Sequence, residues 1–519
     1  MSVKSVGFVA GLFLAVAILC LPTPASFATA ASSLLPPRAT GLTAPELAQS
    51  MQAVLAVLGL MVVWWLTEAV PLSATALLPA VLFPLLRVTG VHEGAAYSLT
   101  TRNTLLNYAN PVIYLFLGGF LIAGAMQKWR LDRRFTLWIL TRGRLADSAG
   151  SILFGVMAAT AFISMWISNT ATTAMMLPLG LGVLSLAGVK PGSSRYGTAL
   201  MLGIAWAASI GGVGTIIGTP PNGIALGILN TTLAADPAYH SITFLGWMKF
   251  GVPFVVLFLP VAWWVLMWRH PPEIRALPGG KARLQEDRTA LGPLSPGEKG
   301  TIGVFLLAVT LWVTSPFWPS LLPAALASHL AWLDEYLIGL LCGTLLFFLP
   351  VSLRRGEFLL DWKDTKCVDW GTLVLFGGGI ALSDGMFKTG LATWIANSFI
   401  GLLGTPSTFV LVVAVALLMV LLTEVTSNTA VTSMMVPVVI SIAVRAGANP
   451  VTVAVAGTIA ASMAFMLPVA TPPNALVYGT GYIRLKDMVR TGLVLDLISW
   501  LFIVFIIFFV AHRWWGVLG

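Results

Sequence analysis

The sequence predicts an all-α polytopic membrane protein, and three observations carry that prediction. Hydrophobic residues make up 57% of the 519 residues and charged residues only 9%, with a mean hydropathy of +0.90; a soluble domain is about 25% charged. Apolar runs recur along the whole chain, several of them long enough to cross the hydrocarbon layer as helices. They lack the polar–apolar alternation that strands of a membrane barrel require.

The net charge of +9 is no footprint of nucleic acid. The basic residues gather in short loops between apolar runs, as at Lys128, Arg130, Arg133, Arg134, Arg142 and Arg144. Positive-inside bias explains this pattern and puts that loop in the cytoplasm; the expected location is the cell (inner or plasma) membrane, as a multi-pass protein. Cys20, Cys342 and Cys367 have no paired spacing, and the five histidines are scattered without an HExxH. Neither a disulfide framework nor a zinc site is indicated. With no metal or nucleophile–base constellation in view, a membrane-embedded enzyme has no support and no cofactor is expected.

In chain order, Lys4, the apolar run from Val6 to Leu21 and "FATAA" read as a first transmembrane helix, with a cleaved signal peptide as the alternative. Ser32–Ser50 reads as a loop. With the apolar segments between residues 51 and 511, the whole chain is expected to hold about 11 transmembrane helices plus two re-entrant hairpins. A Pro-, Gly- and charge-rich stretch at 269–300 reads as a connector between halves, and 351–370 as a second charged loop.

Three landmarks recur in the same order. "LFLGGFLIAGAM" (Leu115–Met126) aligns with "LFGGGIALSDGM" (Leu375–Met386) at an offset of 260. "SNTATTAMMLP" (Ser168–Pro178) recurs as "SNTAVTSMMVP" (Ser427–Pro437), 259 residues on. "GTPPN" (Gly218–Asn222) recurs as "ATPPN" (Ala470–Asn474), 252 residues on. The chain therefore divides into 1–48, the first helix and loop, and two repeats, 49–290 and 291–519. An odd number of crossings per repeat inverts the second, a hallmark of secondary transporters.

The motifs sit where polar groups are costly. Ser168-Asn169-Thr170 has about 17 apolar residues before it and 18 after. At 1.5 Å per residue each arm reaches about 25 Å, so a re-entrant hairpin with its tip at 168–170 fits better than one crossing. The same holds for a second tip at 427–429. Asn169 favours the turn, and the hydroxyls favour the N-cap of the returning helix. The adjacent prolines of the TPPN motifs break helices at 218–222 and 470–474. Carbonyls and side-chain oxygens at such breaks suit Na⁺; N–H groups, hydroxyls and amides suit an anion, aided by the helix dipole. Ser164 and Ser168 are spaced i, i+4, as are Thr423 and Ser427, so one helical face offers each pair of oxygens. Two cation sites with an anion between them follow. No Lys or Arg lies in any motif, so charge compensation falls to co-transported Na⁺. A single Ser or Thr in such a helix ordinarily just bonds a carbonyl; two tips in register ask for more.

These motifs, with "WWLTEAVPLSATALLP" (Trp64–Pro79), "YANPVIYLFLGGF" and "ASMAFMLPVATPPNALV" (Ala461–Val477), closely resemble the divalent anion/sodium symporter family, the dicarboxylate, citrate and sulfate carriers. The resemblance covers nearly the whole chain after the first helix. It implies a homodimer of elevator type, each protomer with a scaffold and a transport domain. It implies one Na⁺ site from Ser164, Ser168, Asn169 and Gly218 and another from Thr423, Ser427, Asn428 and Ala470. Substrate carboxylates would meet Asn169, Thr170, Thr219, Asn428, Thr429, Thr471 and Pro472. The function so implied is sodium-coupled import of C4 dicarboxylates. A citrate, sulfate or 2-oxoglutarate carrier, a dicarboxylate exchanger and, from another class, an arsenite or anion efflux permease remain as alternatives.

Outside the motifs, Glu68, Glu424 and Asp384 lie in or near apolar runs. Glu68 and Glu424 read as structural hydrogen-bond partners or as groups behind the cation, with proton coupling as the alternative. Trp64-Trp65, Trp263-Trp264 and Trp514-Trp515 read as interfacial belts, and Met175-Met176 and Met434-Met435 as core packing.

Overall fold

The computed structural model describes residues 2–35, 41–141, 148–192, 194–234, 236–274 and 280–511. Arg142, Arg144 and the Trp514-Trp515 pair lie outside the described residues. Among those described, eight helices are long and apolar enough to cross a membrane, or nine if the bent pair Ala324–Leu330 and Glu335–Leu345 counts as one span. Helices interrupted at the motifs are shorter than that. Ala149–Ser164, Thr408–Thr423 and Pro450–Ala461 hold 16, 16 and 12 residues, below the roughly 17–25 that a crossing needs.

The all-α expectation is corrected by two small β-hairpins. Thr89–His92 pairs antiparallel with Ala95–Ser98, and Pro350–Ser352 with Glu357–Phe358. The first is closed by Glu93 and Gly94, both at positive φ (51° and 76°), the turn whose twist matches paired strands. The loop expected at 32–50 is also shorter: Ala25–Leu34 is helical, and Ala44–Thr67 starts with Thr43 and Glu46 in a capping box. The tryptophan-belt reading fails at 64–65. Trp65 is fully buried and donates its indole N–H to the Leu72 carbonyl (3.1 Å). Trp64 stacks on Phe8 with centroids 5.2 Å apart and donates to the Phe8 carbonyl, because the Val3–Cys20 helix covers that face. Trp264, 56% exposed, keeps the character expected of a belt.

The same series of helices is laid down twice. Pro111–Lys128 is followed by the short Leu131–Leu140, and Trp370–Thr389 by Leu391–Leu403. Ala149–Ser164 with Asn169–Leu186 matches Thr408–Thr423 with Asn428–Arg445. Arg195–Gly212, then Pro220–Thr232, matches Pro450–Ala461, then Pro472–Tyr478. The 195–212 helix packs on both arms of its own pair and on the 472–478 helix; the 450–461 helix packs on both arms of its pair and on the 220–232 helix. Each TPPN helix therefore lies against the other half of the chain. All residues from Tyr196 to Gly212 and from Thr452 to Ala461 are buried, so these two helices form the centre of the larger core. A smaller core joins the 44–67 and 370–389 helices.

The 111–128 helix meets the 335–345 helix backbone to backbone. A Cβ on Gly118 would overlap the Gly339 carbonyl oxygen, and one on Gly343 would lie 2.7 Å from the Gly118 Cα. Small residues permit this approach in lipid, where packing rather than the hydrophobic effect holds helices together. Gly118→Ala is therefore expected to lower stability by about 1–3 kcal/mol, the usual cost of overpacking. Thermal unfolding of the purified protein in detergent checks this; an unchanged melting temperature would refute the packing assignment.

Candidate functional site

Both SNT motifs interrupt helices, and the interruption differs from the sequence reading. The first arm ends at Ser164 and the second starts at Asn169, with Ser168 as N-cap, its Oγ accepting from Ala171 N (3.3 Å). The turn is made by residues 165–167, and Asn169 and Thr170 already belong to the returning helix. The i, i+4 face imagined for Ser164 and Ser168 does not exist, since the two lie on either side of a break; the same correction applies to Thr423 and Ser427. The pairing that replaces it is i, i+5. Ser164 Oγ donates to Asn169 Oδ1 (2.8 Å), and Thr423 Oγ1 lies 2.6 Å from Asn428 Oδ1 and 2.6 Å from the Ala461 carbonyl oxygen.

The TPPN segments behave alike in the two halves. Thr219 and Thr471 are extended N-caps, each followed by two prolines in the first helical turn, where the missing N–H costs nothing. Asn222 Nδ2 donates to the carbonyls of Gly212 (3.0 Å) and Thr215 (2.8 Å), ten and seven residues back. Asn474 Nδ2 donates to Ala464 (3.0 Å) and Leu467 (3.1 Å), again ten and seven residues back. The two asparagines thus clamp the irregular segments that precede them.

Around Gly218 the result is a nest of neutral oxygens. A Cβ there would overlap the Gly212 carbonyl oxygen and lie 3.0 Å from that of Met165. Thr215 Oγ1 donates to the same Met165 carbonyl (2.5 Å), and Asn169 Oδ1 lies against the Gly212 Cα. Carbonyl, hydroxyl and amide oxygens without a carboxylate fit a hard monovalent cation. The counterpart at Ala470 has Thr423, Ser427 and Asn428 near the ends of the second pair.

One cleft of about 1020 Å³ collects the four helix starts. Its walls include Ser168, Asn169 and Thr170; Thr219 and Pro220; Ser427, Asn428 and Thr429; and Ala470, Thr471 and Pro472. Every substrate-contacting residue expected from the sequence lines it. Ser164, Thr423 and Gly218 do not; they are buried behind its wall. Among the described residues no Lys or Arg lines the cleft. Ser427 makes no side-chain cap, which leaves the first turn of the 428–445 helix free to donate to a ligand.

Sequence reasoning missed one wall. Ser73, Asp369 and Thr372 also line the cleft, with Glu68. Asp369 caps the 370–389 helix, accepting from Thr372 N (3.0 Å) and Thr372 Oγ1 (2.6 Å). The D-x-x-T spacing at a helix start was a readable cap signal, but nothing in it pointed towards a cleft. Glu68 ends the 44–67 helix in the left-handed conformation and lies 3.7 Å from Lys4 Nζ, exposed. Asp384 pairs with Lys388 Nζ (2.9 Å), which sits over the Tyr97 ring. Asp384 serves structure away from the cleft, whereas Glu68 forms part of the cleft wall. Among the described residues no group of His, Cys, Asp and Glu could hold a metal ion.

The sodium:sulfate symporter transmembrane-region model matches residues 6–519. The chain belongs to the sodium:sulfate symporter family. Within this family the chain is 37% identical over 462 residues to the sodium-dependent dicarboxylate transporter SdcS of Staphylococcus saprophyticus, spanning 86% of this chain and 84% of that one. It is 36% identical over 458 residues to SdcS of Staphylococcus aureus, spanning 86% and 83%. The fold of this symporter-family chain is similar to two solved transporters. One is YdaH of Alcanivorax borkumensis, with a TM-score of 0.56 at 17% identity over 88% of this chain and 99% of that one. The other is MtrF of Neisseria gonorrhoeae, with a TM-score of 0.56 at 14% identity over 89% and 96%. At those identities the likeness concerns fold alone.

Proposed function

We propose that this protein is a secondary active transporter of the plasma membrane that imports C4 dicarboxylates such as succinate, fumarate and malate, coupled to Na⁺. The observation that carries the reading is the convergence of four helix N-termini, from the two SNT and two TPPN motifs, on one cleft that no basic side chain among the described residues lines. Helix starts offer positive dipole ends to carboxylates. Each set of neutral oxygens behind them receives one Na⁺: Ser164, Ser168, Asn169 and Gly218 in the first half, Thr423, Ser427, Asn428 and Ala470 in the second. Asn169, Thr170 and Thr219 hold one carboxylate, and Asn428, Thr429, Thr471 and Pro472 the other. Asn169 and Asn428 touch both cargoes, which makes the affinity for the dianion depend on the cations. The names of the staphylococcal relatives agree with this.

The proposed architecture is two inverted repeats, 49–290 and 291–519, after a first helix at 1–48, with about 11 crossings and two re-entrant hairpins. The hairpins and TPPN helices form a transport domain that moves as an elevator against a scaffold in a homodimer. The exchange of TPPN helices between halves supports treating the motif helices as one moving body.

The test is uptake of radiolabelled succinate into proteoliposomes under an inward Na⁺ gradient or an equal choline gradient, with unlabelled fumarate, malate, citrate, sulfate and 2-oxoglutarate as competitors. Uptake in Na⁺ alone, competed by fumarate and malate, is expected. Equal uptake in choline would refute the coupling, and inhibition by sulfate alone would move the substrate to the inorganic anion that the family's description carries.

A further inference from the structure

A cavity of about 430 Å³ lies between the first hairpin, the Leu131–Leu140 helix and the Pro296–Thr314 helix. None of its lining residues lines the cleft. The lining is almost wholly apolar: Phe162 and Trp166 from the hairpin, Phe135 from the 131–140 helix, and Ile302, Phe305 and Leu306 from the 296–314 helix. Phe135 stacks on Phe162 with centroids 4.5 Å apart, and Trp166 meets Phe305 edge-on at 5.1 Å. The three elements therefore touch around a gap they leave unfilled. An engineered apolar cavity of about 150 Å³ stays dry and takes one benzene; this one has nearly three times the room. It is not sealed, since Phe162 is 40% and Leu306 55% exposed. On the apolar flank of a membrane protein, what meets such side chains is lipid.

The cavity lies close to the cytoplasmic surface. Leu131, which also lines it, directly follows the basic residues that positive-inside bias places in the cytoplasm. The 296–314 helix starts at the same level, for a Cβ on Gly297 would overlap the Trp129 ring. Two cations stand at this edge. Lys299 shares a helix face with Ile302 and Leu306, at i, i+3 and i+7. Arg130 sits between Trp129 and Leu131. Both are exposed, and neither joins an ion pair among the described residues. Two further charged residues of the lining are already engaged. Arg134 Nε donates to Glu298 Oε1 (2.6 Å), and its other nitrogens donate to the carbonyls of Leu291 (3.0 Å) and Gly292 (2.9 Å). Asp132, 7% exposed, accepts from Arg133 N (2.6 Å).

We propose that this is a binding site for one anionic phospholipid of the cytoplasmic leaflet, with an acyl chain in the cavity and the phosphate between Lys299 and Arg130. The apolar lining selects the chain, and the two unpaired cations at its cytoplasmic edge select the head. The chain lies against Trp166, which belongs to the turn 165–167 of the first break. The next residue back, Met165, carries the carbonyl that borders the nest around Gly218. Bound lipid therefore braces this turn against the 296–314 helix. The inference is independent of which anion the cleft carries.

Two measurements test this. Native mass spectrometry of the purified protein, offered phosphatidylglycerol and phosphatidylcholine with identical chains, should show a retained lipid. The expected preference for phosphatidylglycerol is roughly 25-fold, about fivefold for each cation. In the double variant Lys299→Gln, Arg130→Gln the preference should vanish while the melting temperature in detergent stays, because both side chains are exposed. Glycerol 3-phosphate, a head without chains, should not bind. Hydrogen–deuterium exchange of the peptide holding residues 165–167 should slow when phosphatidylglycerol is added to the wild type, and not in the variant. Equal retention of the two lipids by the wild type, or an unchanged preference in the variant, overturns the inference, since the lipid would then be an unselective coat. Retention of glycerol 3-phosphate overturns it in favour of a soluble anion. Exchange at 165–167 that ignores phosphatidylglycerol overturns the placement in this cavity.

Discussion

Asn428→Ala is expected to reduce sodium-driven succinate uptake by about 100-fold or more while leaving a folded protein. The side chain serves both proposed cargoes. Its Oδ1 lies 2.6 Å from Thr423 Oγ1 behind the cleft wall, and the residue itself lines the cleft at the first turn of the 428–445 helix. Truncation removes an oxygen from the cation shell and an amide donor from a carboxylate. A hydrogen bond to a charged group is worth about 1.5–3 kcal/mol, and about 1.4 kcal/mol is tenfold in affinity, so two such losses exceed 100-fold. Asn169→Ala should behave alike, since its Oδ1 accepts from Ser164 Oγ (2.8 Å). The folded state should survive because the irregular segments before the TPPN helices are clamped by Asn222 and Asn474, not by these two asparagines. Uptake and Na⁺ activation curves, with melting temperature as the folding control, check the expectation. Uptake near wild type in either variant discards the site assignment.

Gly218→Ala is expected to abolish sodium coupling. The added methyl would meet two backbone carbonyls, Gly212 and Met165, which cannot swing away as the tip of a side chain can. These carbonyls are themselves held, the first by Asn222 Nδ2 (3.0 Å), the second by Thr215 Oγ1 (2.5 Å). The methyl therefore occupies the space of the proposed first cation or displaces its ligands. Half-maximal Na⁺ should rise beyond reach, with uptake lost at any practical gradient. The mirror position is already alanine, so Ala470→Gly adds no overlap and only backbone freedom, worth about 0.5–1 kcal/mol; its effect should be much smaller. Equal effects of the two substitutions would mean that the halves do not hold cations as proposed.

The residues that line the cleft were legible because apolar surroundings make each polar residue conspicuous. Asn169, Thr219, Asn428 and Thr471 stood out for that reason, and their doubling removed the ordinary explanation of a lone serine bonded to its own helix. What misled was periodicity. Spacing of i, i+4 joins Ser164 to Ser168 only if the helix continues, and here it stops at Ser164. The side chains then meet at i, i+5 across the break. Glu424 was recognised as unusual, but its three N–H donors come from 465–467, some forty residues away. Ser73, Asp369 and Thr372 were invisible because each is unremarkable in its own segment.

By itself the sequence determined that the chain is a helical multi-pass membrane protein, where its helices break and which polar residues stand at the breaks. Those are local consequences of apolar length, of adjacent prolines without an N–H, and of hydroxyl and amide caps. Only the tertiary structure decided that the 220–232 and 472–478 helices cross to the opposite halves and bring four helix starts to one cleft. It also decided that Ser164, Thr423 and Gly218 lie behind that cleft. These are contacts across hundreds of residues, selected by the close packing of two fully buried helices, 195–212 and 450–461, and no spacing along the chain encodes them.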